Sequence, residues 1–290
     1  MTAYVNRWFQ SHDGLRLYAR DYAAAEGNAR LPVIAIHGLT RNSADFTHIA
    51  GCIAASGRRV IAVDVRGRGL SERAADPMTY VPATYADDVT ALFEQLGLSQ
   101  AVFLGTSMGG LITMALAGVK PELIAAAIMN DVGPEVSMVG LARIAAYAGK
   151  PVETNSWADA RDYVKTHNAI ALPHYSDADW DAFARRVFRE DDQGRPRLDY
   201  DPDIAVPIRA AGQAALVPDL WGDFESLTDG RPTMLIRGGI SDLLDEEIAG
   251  RMRERAPAMA YVEVPAVGHA PMLDEAAAEE AILQFLGELP

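Results

Sequence analysis

The chain predicts an α/β architecture: a mostly parallel, doubly wound sheet interrupted by a helical insertion. Three observations carry this. Short continuous apolar runs recur at 33–36, 60–63, 101–104 and 123–129, each too short for a typical free-standing helix and of the kind buried on both faces of a parallel sheet. Stretches with helical spacing lie between them. The alternation stops near residue 133 and resumes near 231, as expected where helices are inserted into one α/β domain.

Taken in order, residues 4–10 and 15–22 are rich in aromatic and β-branched side chains and flank the turn signal His12-Asp13-Gly14, so they read as an antiparallel hairpin. The four apolar runs follow as strands. Between the second and third, Ala83 to Leu96 places Val89, Leu92, Phe93 and Leu96 on one face behind Asp87 and Asp88. Within 133–230 the stretches Ala158 to His167 and Asp177 to Arg189 read as helices, and Glu190 to Pro196 as a polar loop. Strands resume at 233–236 and 261–264, and Glu275 to Leu286 closes the domain as a helix. The domain expectation is therefore a core of 1–132 and 231–290 with a helical cap over 133–230.

Composition limits the function classes. At 290 residues the chain is long enough for one large domain. Its 40 Asp and Glu exceed its 26 Lys and Arg by 14 charges, which disfavours nucleic acid or an anionic membrane surface as partner. A single cysteine, Cys52, forms no internal disulfide and suits a reducing compartment. No apolar run approaches the roughly 18 residues of a membrane span, and the start reads as no signal peptide. The expectation is a cytoplasmic monomer or homodimer that meets a small molecule and water.

Gly105-Thr106-Ser107-Met108-Gly109 carries the chemistry. The pattern G-x-S-x-G alone is weak, but it follows an apolar run and opens the helical run Gly110 to Val119, the strand–turn–helix setting of a nucleophile elbow. Small residues are needed because side chains at 105 and 109 would collide with neighbouring backbone. The turn lifts the Ser107 hydroxyl from the sheet and aims the Met108 N–H at developing negative charge.

A serine hydroxyl needs a base. Of six histidines, His269 follows the last strand and precedes the last helix, which puts it at the carboxyl end of the sheet with Ser107. His12, His48, His167 and His174 read as solvated or packed. His37, in His37-Gly38-Leu39-Thr40, follows the strand 33–36 and reads as structural, holding a loop whose Leu39 N–H joins Met108 N–H in an oxyanion hole. Two acids qualify to orient the base. Asp242 follows the strand 233–236 and Asp131 follows the strand 123–129; the order Ser107, Asp242, His269 favours Asp242, with Asp131 as the alternative.

Together these residues resemble the α/β-hydrolase superfamily, in particular its capped branch of esterases, lactonases and carbon–carbon bond hydrolases. The resemblance spans nearly the whole chain: His37-Gly38, then Asp64-Val65-Arg66-Gly67-Arg68-Gly69-Leu70-Ser71, then Gly105 to Gly109, Asp242 and Gly268-His269. It implies an α/β-hydrolase fold with a mostly parallel eight-stranded sheet flanked by helices, a helical lid over the pocket, and a structural loop at 64–71 rather than a phosphate cradle. The carbon–carbon branch carries a Gly-rich oxyanion loop and a tryptophan after the catalytic histidine, where this chain has Leu39-Thr40-Arg41 and Ala270.

The expected activity is thus hydrolysis of a small carboxylic ester or lactone through an acyl-enzyme, with carbon–carbon hydrolysis or a non-catalytic small-ligand receptor as alternatives. Cofactors and metals are not expected, since no His, Cys or carboxylate cluster shows ligand spacing. Met138, Trp157, Trp180, Phe183 and Trp221 are candidate pocket-lining groups, and Arg41 a candidate partner for a substrate carboxylate.

Overall fold

The computed structural model describes residues 3–25, 30–211 and 219–290. In chain order the elements are β1 (Val5–Gln10), β2 (Arg16–Tyr22), β3 (Val33–Ile36), α1 (Thr47–Ala55), β4 (Val60–Asp64), α2 (Pro82–Leu96), β5 (Ala101–Thr106), α3 (Met108–Val119), β6 (Ile124–Asn130), α4 (Met138–Ala145), α5 (Trp157–Asn168), α6 (Asp177–Val187), β7 (Phe188–Glu190), β8 (Pro196–Leu198), α7 (Val206–Ala211), α8 (Trp221–Thr228), β9 (Thr233–Gly238), α9 (Glu246–Arg255), β10 (Ala260–Val264) and α10 (Ala276–Gly287). An eight-stranded sheet runs in the order β1-β2-β4-β3-β5-β6-β9-β10. Within this sheet only the β1–β2 and β2–β4 pairings are antiparallel.

Alternating side chains divide the core into two layers, as a strand's two-residue period requires. Ile34, Ile36, Ile61, Val63 and Phe103 face one cluster with Leu92 of α2, Ile112 of α3, Phe224 of α8 and Met252 of α9. Val33, Ala35, Val60, Ala62 and Leu104 face the other, with Ile49 and Ile53 of α1 and Ile282 and Phe285 of α10. Burying these strands on both faces is the reason they read as continuous apolar runs.

The insertion after β6 differs from expectation in two places. The polar stretch 190–196 includes the turn of a two-stranded antiparallel hairpin, β7–β8, so the helix expected to reach Arg189 stops at Val187. The helix α8 falls within the range expected for the cap, yet it packs against α3, and Phe224 and Leu227 join the core beneath the sheet. Residues 212–218 of that range lie outside the described residues. The helices α5 and α6 start at full capping boxes, Ser156 with Asp159 and Ser176 with Asp179, in which serine and aspartate satisfy each other's free N–H groups.

At Gly109 in the first turn of α3, a Cβ would overlap the Ile36 carbonyl at the end of β3. Gly109→Ala is therefore expected to cost at least about 3 kcal/mol in denaturant unfolding. Gly250 sits mid-helix in α9 with open space around a built Cβ, so Gly250→Ala should stabilise by roughly 0.5–1 kcal/mol in the same assay.

Candidate active site

The turn between β5 and α3 supplies the first group. Ser107 has φ 52° and ψ −115°, a left-handed backbone that a side-chain-bearing residue adopts only where its surroundings hold it. They do so here: a Cβ on Gly105 would lie 2.5 Å from the Gly109 carbonyl carbon, so β5 and α3 close tightly around the serine. Ser107 N–H donates to Asn130 O at 2.9 Å, and Gly110 N–H donates back to Ser107 O at 2.9 Å.

The loop after β10 brings His269 over this turn. Its Nε2 lies 2.8 Å from Ser107 Oγ, and its Nδ1 lies 2.7 Å from Asp131 Oδ2. With Nδ1–H donating to the carboxylate, Nε2 is left to accept from the serine hydroxyl. Asp131 is fully buried, and its two oxygens accept from Gly238 N–H at 2.7 Å and the Ser241 hydroxyl at 2.6 Å as well. Its own φ of 57° turns the carboxylate back over the sheet edge. A hydroxyl in such a chain can lose its proton to the imidazole as it attacks a carbonyl.

Asp242, favoured from chain order, is elsewhere. Its carboxylate is gripped by Arg143 of α4, with Nε to Oδ2 at 2.5 Å and Nη2 to Oδ1 at 2.7 Å. Burial acts to raise its pKa, but the guanidinium wins and holds Asp242 below the ordinary carboxylate value. The physical reason is strand order: β6 lies directly beside β5, so Asp131 emerges next to Ser107, whereas β9 lies one strand further out. Asp242 instead pins the insertion to the loop after β9, and Ser241 beside it turns its hydroxyl to Asp131.

The loop after β3 faces the same point. A Cβ on Gly38 would lie 3.6 Å from Ser107 Cβ. Among the described residues, neither Leu39 N–H nor Met108 N–H donates a hydrogen bond within the protein. His37 Nδ1–H donates to Gly38 O at 2.7 Å and Nε2 accepts from Val65 N–H at 3.0 Å. Since Gly38 O and Leu39 N–H belong to one peptide unit, the His37 bond also polarises that N–H. Buried Arg68 ties both halves together, donating from Nε to Leu39 O at 3.0 Å and reaching Met108 Sδ at 3.6 Å. Arg68 is not marked as functional by the sequence; its one signal is its place in the Asp64–Ser71 motif, which the resemblance makes a structural loop.

Ser107 and His269 open into a cleft walled by Tyr147, Tyr163, His167, Phe183 and Tyr200 from the insertion and by Arg41 and Asp45 from the segment before α1. Of the aromatic residues expected there, only Phe183 lines it. Trp180 is buried among Tyr175 and Phe183, Trp221 packs on Phe224, and Trp157 donates to Glu190 at 2.8 Å. Met138 is exposed. A period-3.6 pattern distinguishes a buried helix face from an exposed one but not a cavity wall from a packed core.

Away from the cleft, His48, Cys52 and Glu279 bring three donor atoms within 4.8 Å of one another. Ligand spacing, not expected from the sequence, thus arises because α10 packs beside α1. His48 and Glu279 are hydrogen-bonded at 2.6 Å, an ion pair when the ring is protonated.

Burial pushes the His37 imidazole from 6.5 down to about 4. A histidine whose folded pKa is lowered adds stability in full above its unfolded value and loses it as pH falls from 6.5 towards 4. The gap corresponds to about 3 kcal/mol. The unfolding free energy of wild type relative to His37→Gln should therefore be constant above pH 6.5 and fall by about that amount towards pH 4, in urea titrations across the range.

A family model described as the alpha/beta hydrolase fold matches residues 32–276. Over 255 residues the chain is 37% identical to a 3-hydroxybutyrate-oligomer hydrolase from Cupriavidus necator, covering 84% of each protein. It is 27% identical over 237 residues to a 2-(acetamidomethylene)succinate hydrolase from Mesorhizobium japonicum, covering 80% of this chain and 79% of that protein. Among solved structures, an alpha/beta hydrolase from Novosphingobium aromaticivorans at 40% identity superposes with a TM-score of 0.91 over 99% of both chains. With strand order, elbow and relatives in agreement over most of its length, the chain belongs to the α/β-hydrolase family.

Proposed function

We propose that this hydrolase cleaves a small carboxylic ester, with Ser107 as nucleophile, His269 as proton carrier and Asp131 as the acid that orients it. One observation carries the reading: the unbroken hydrogen-bonded chain from Ser107 Oγ through the His269 ring to a buried carboxylate. Ser107 Oγ adds to the ester carbonyl while His269 Nε2 takes its proton, and the Leu39 and Met108 N–H groups receive the oxyanion. Collapse breaks the carbon–oxygen bond, and His269 returns the proton to the leaving alcohol. Water then adds to the acyl-serine, giving one proton to His269 and leaving a carboxylic acid; the proton goes back to Ser107.

The relative from Cupriavidus necator is named for oligomers of 3-hydroxybutyrate, which are linear esters, and this supports an ester of a hydroxy acid as the substrate class. The helices α4 to α6 and the β7–β8 hairpin act in this reading as a cap that closes the cleft over the bond. Carbon–carbon hydrolysis has less support, because Ala270 and the Leu39-Thr40-Arg41 loop stand where that branch differs. A cytoplasmic setting accords with the one cysteine, Cys52, which is unpaired.

A fluorophosphonate probe should label wild type and not Ser107→Ala, and short hydroxy-acid esters should be turned over only by the former. Asp131→Asn should lower kcat by roughly a thousandfold or more, as expected when a base loses its orienting carboxylate. Asp242→Asn breaks a part-exposed ion pair and should change kcat within a factor of about five. Comparable losses in both variants, or a collapse confined to Asp242→Asn, would contradict the assignment.

A further inference from the structure

The geometry points to Arg41 as the site that binds a free carboxylate on the substrate, so that the cleft selects acidic esters over neutral ones. The inference rests on the ester-hydrolase reading for what happens to the bond, but its evidence is the chemistry of one corner of the cleft.

Arg41 and Ser107 flank the same glycine: a Cβ on Gly38 would lie 3.6 Å from Ser107 Cβ and 3.7 Å from Arg41 Cγ. The guanidinium is held over the Phe183 ring at 4.0 Å from its centre, and its Nη2 donates to Asp45 Oδ1 at 2.7 Å. A weaker contact joins Nη2 to Met272 Sδ at 3.7 Å. Its remaining donors are idle: Nε is buried without an acceptor, and Nη1 makes no hydrogen bond among the described residues. A buried guanidinium donor left unpaired is costly, and a carboxylate is the acceptor that best matches its planar fork.

The local charge has the matching sign. Arg186 Nε lies 4.0 Å from the same Asp45 oxygen and is also buried without an acceptor. One carboxylate therefore sits between two guanidinium groups. Asp45 is the only acidic side chain among the described residues lining the cleft. Arg186 stands behind the cleft wall, so the two guanidinium groups facing Asp45 leave one positive charge unpaired by it at this corner, which favours an anionic ligand over a neutral one. Stacking on Phe183 holds the fork in place before the ligand arrives, which lowers the entropy cost of binding. A linear hydroxy-acid ester suits the arrangement, since its acid end lies only a few bonds from the scissile carbonyl.

The test uses a dimer of a short 3-hydroxy acid and its methyl ester, which differ at the terminal carboxyl: charged in the acid, neutral and one methyl larger in the ester. Calorimetry on Ser107→Ala protein, where no turnover intrudes, should show the acid bound at least tenfold more tightly than the methyl ester, the scale of a charge-assisted hydrogen bond. Adding Arg41→Gln should reduce that preference below about threefold, with Arg41→Lys in between because the charge stays and the fork is lost. Adding Asp45→Asn instead should raise the preference, an opposite sign that general damage to the cleft does not produce. Equal binding of acid and ester, or a preference that survives Arg41→Gln, overturns the inference. Wild-type turnover of the same pair reads the reaction separately: a binding preference without hydrolysis would contradict the ester reading and leave the carboxylate site standing.

Discussion

A carboxylate with no access to solvent organises this cleft. Asp131 receives hydrogen bonds from the Gly238 N–H at the end of β9, from the Ser241 hydroxyl and from the His269 ring. A buried charge is tolerable only when its lone pairs are met by donors, so the segments that follow β6, β9 and β10 are drawn to one point. The same requirement that keeps Asp131 satisfied therefore sets the orientation of the imidazole, and through it the direction of the Ser107 hydroxyl.

The elements that carry these groups are held by backbone sterics rather than by side-chain affinity. Gly105 and Gly109 let β5 and α3 close on Ser107, and the resulting left-handed turn leaves Met108 N–H without a partner among the described residues. Arg68 and His37 then hold the facing loop, so the two candidate oxyanion donors belong to one connected network. Electrostatic stabilisation is most effective where donors are already in position before charge develops. In the proposed role, Leu39 and Met108 would be held in this way by groups of the core.

Much of this was legible in the sequence, for identifiable reasons. The doubly wound sheet announced itself through apolar runs that alternate between two core layers, and Ser107 and Leu39 through local patterns whose steric logic is contained in a few residues. His269 was legible from its place after the last strand. The carboxylate bonded to the His269 ring was not, because both Asp131 and Asp242 stand between Ser107 and His269 in chain order, and only the adjacency of β6 to β5 separates them. The charge partner that removes Asp242, Arg143, lies 99 residues away inside the insertion. The cleft walls were hidden for a related reason: Trp180 and Tyr163 belong to similar helical patterns, and only the packing of α5 against α6 decides which one faces the cavity.

Everything turns on His269 donating its Nδ1–H hydrogen bond to Asp131 and to no other acid. Proton NMR of the imidazole region reads that bond directly, since an N–H shared with a carboxylate resonates far downfield of an ordinary imidazole proton. Such a resonance is expected in wild type, retained in Asp242→Asn and lost in Asp131→Asn. Loss of the signal in Asp242→Asn with retention in Asp131→Asn would contradict it.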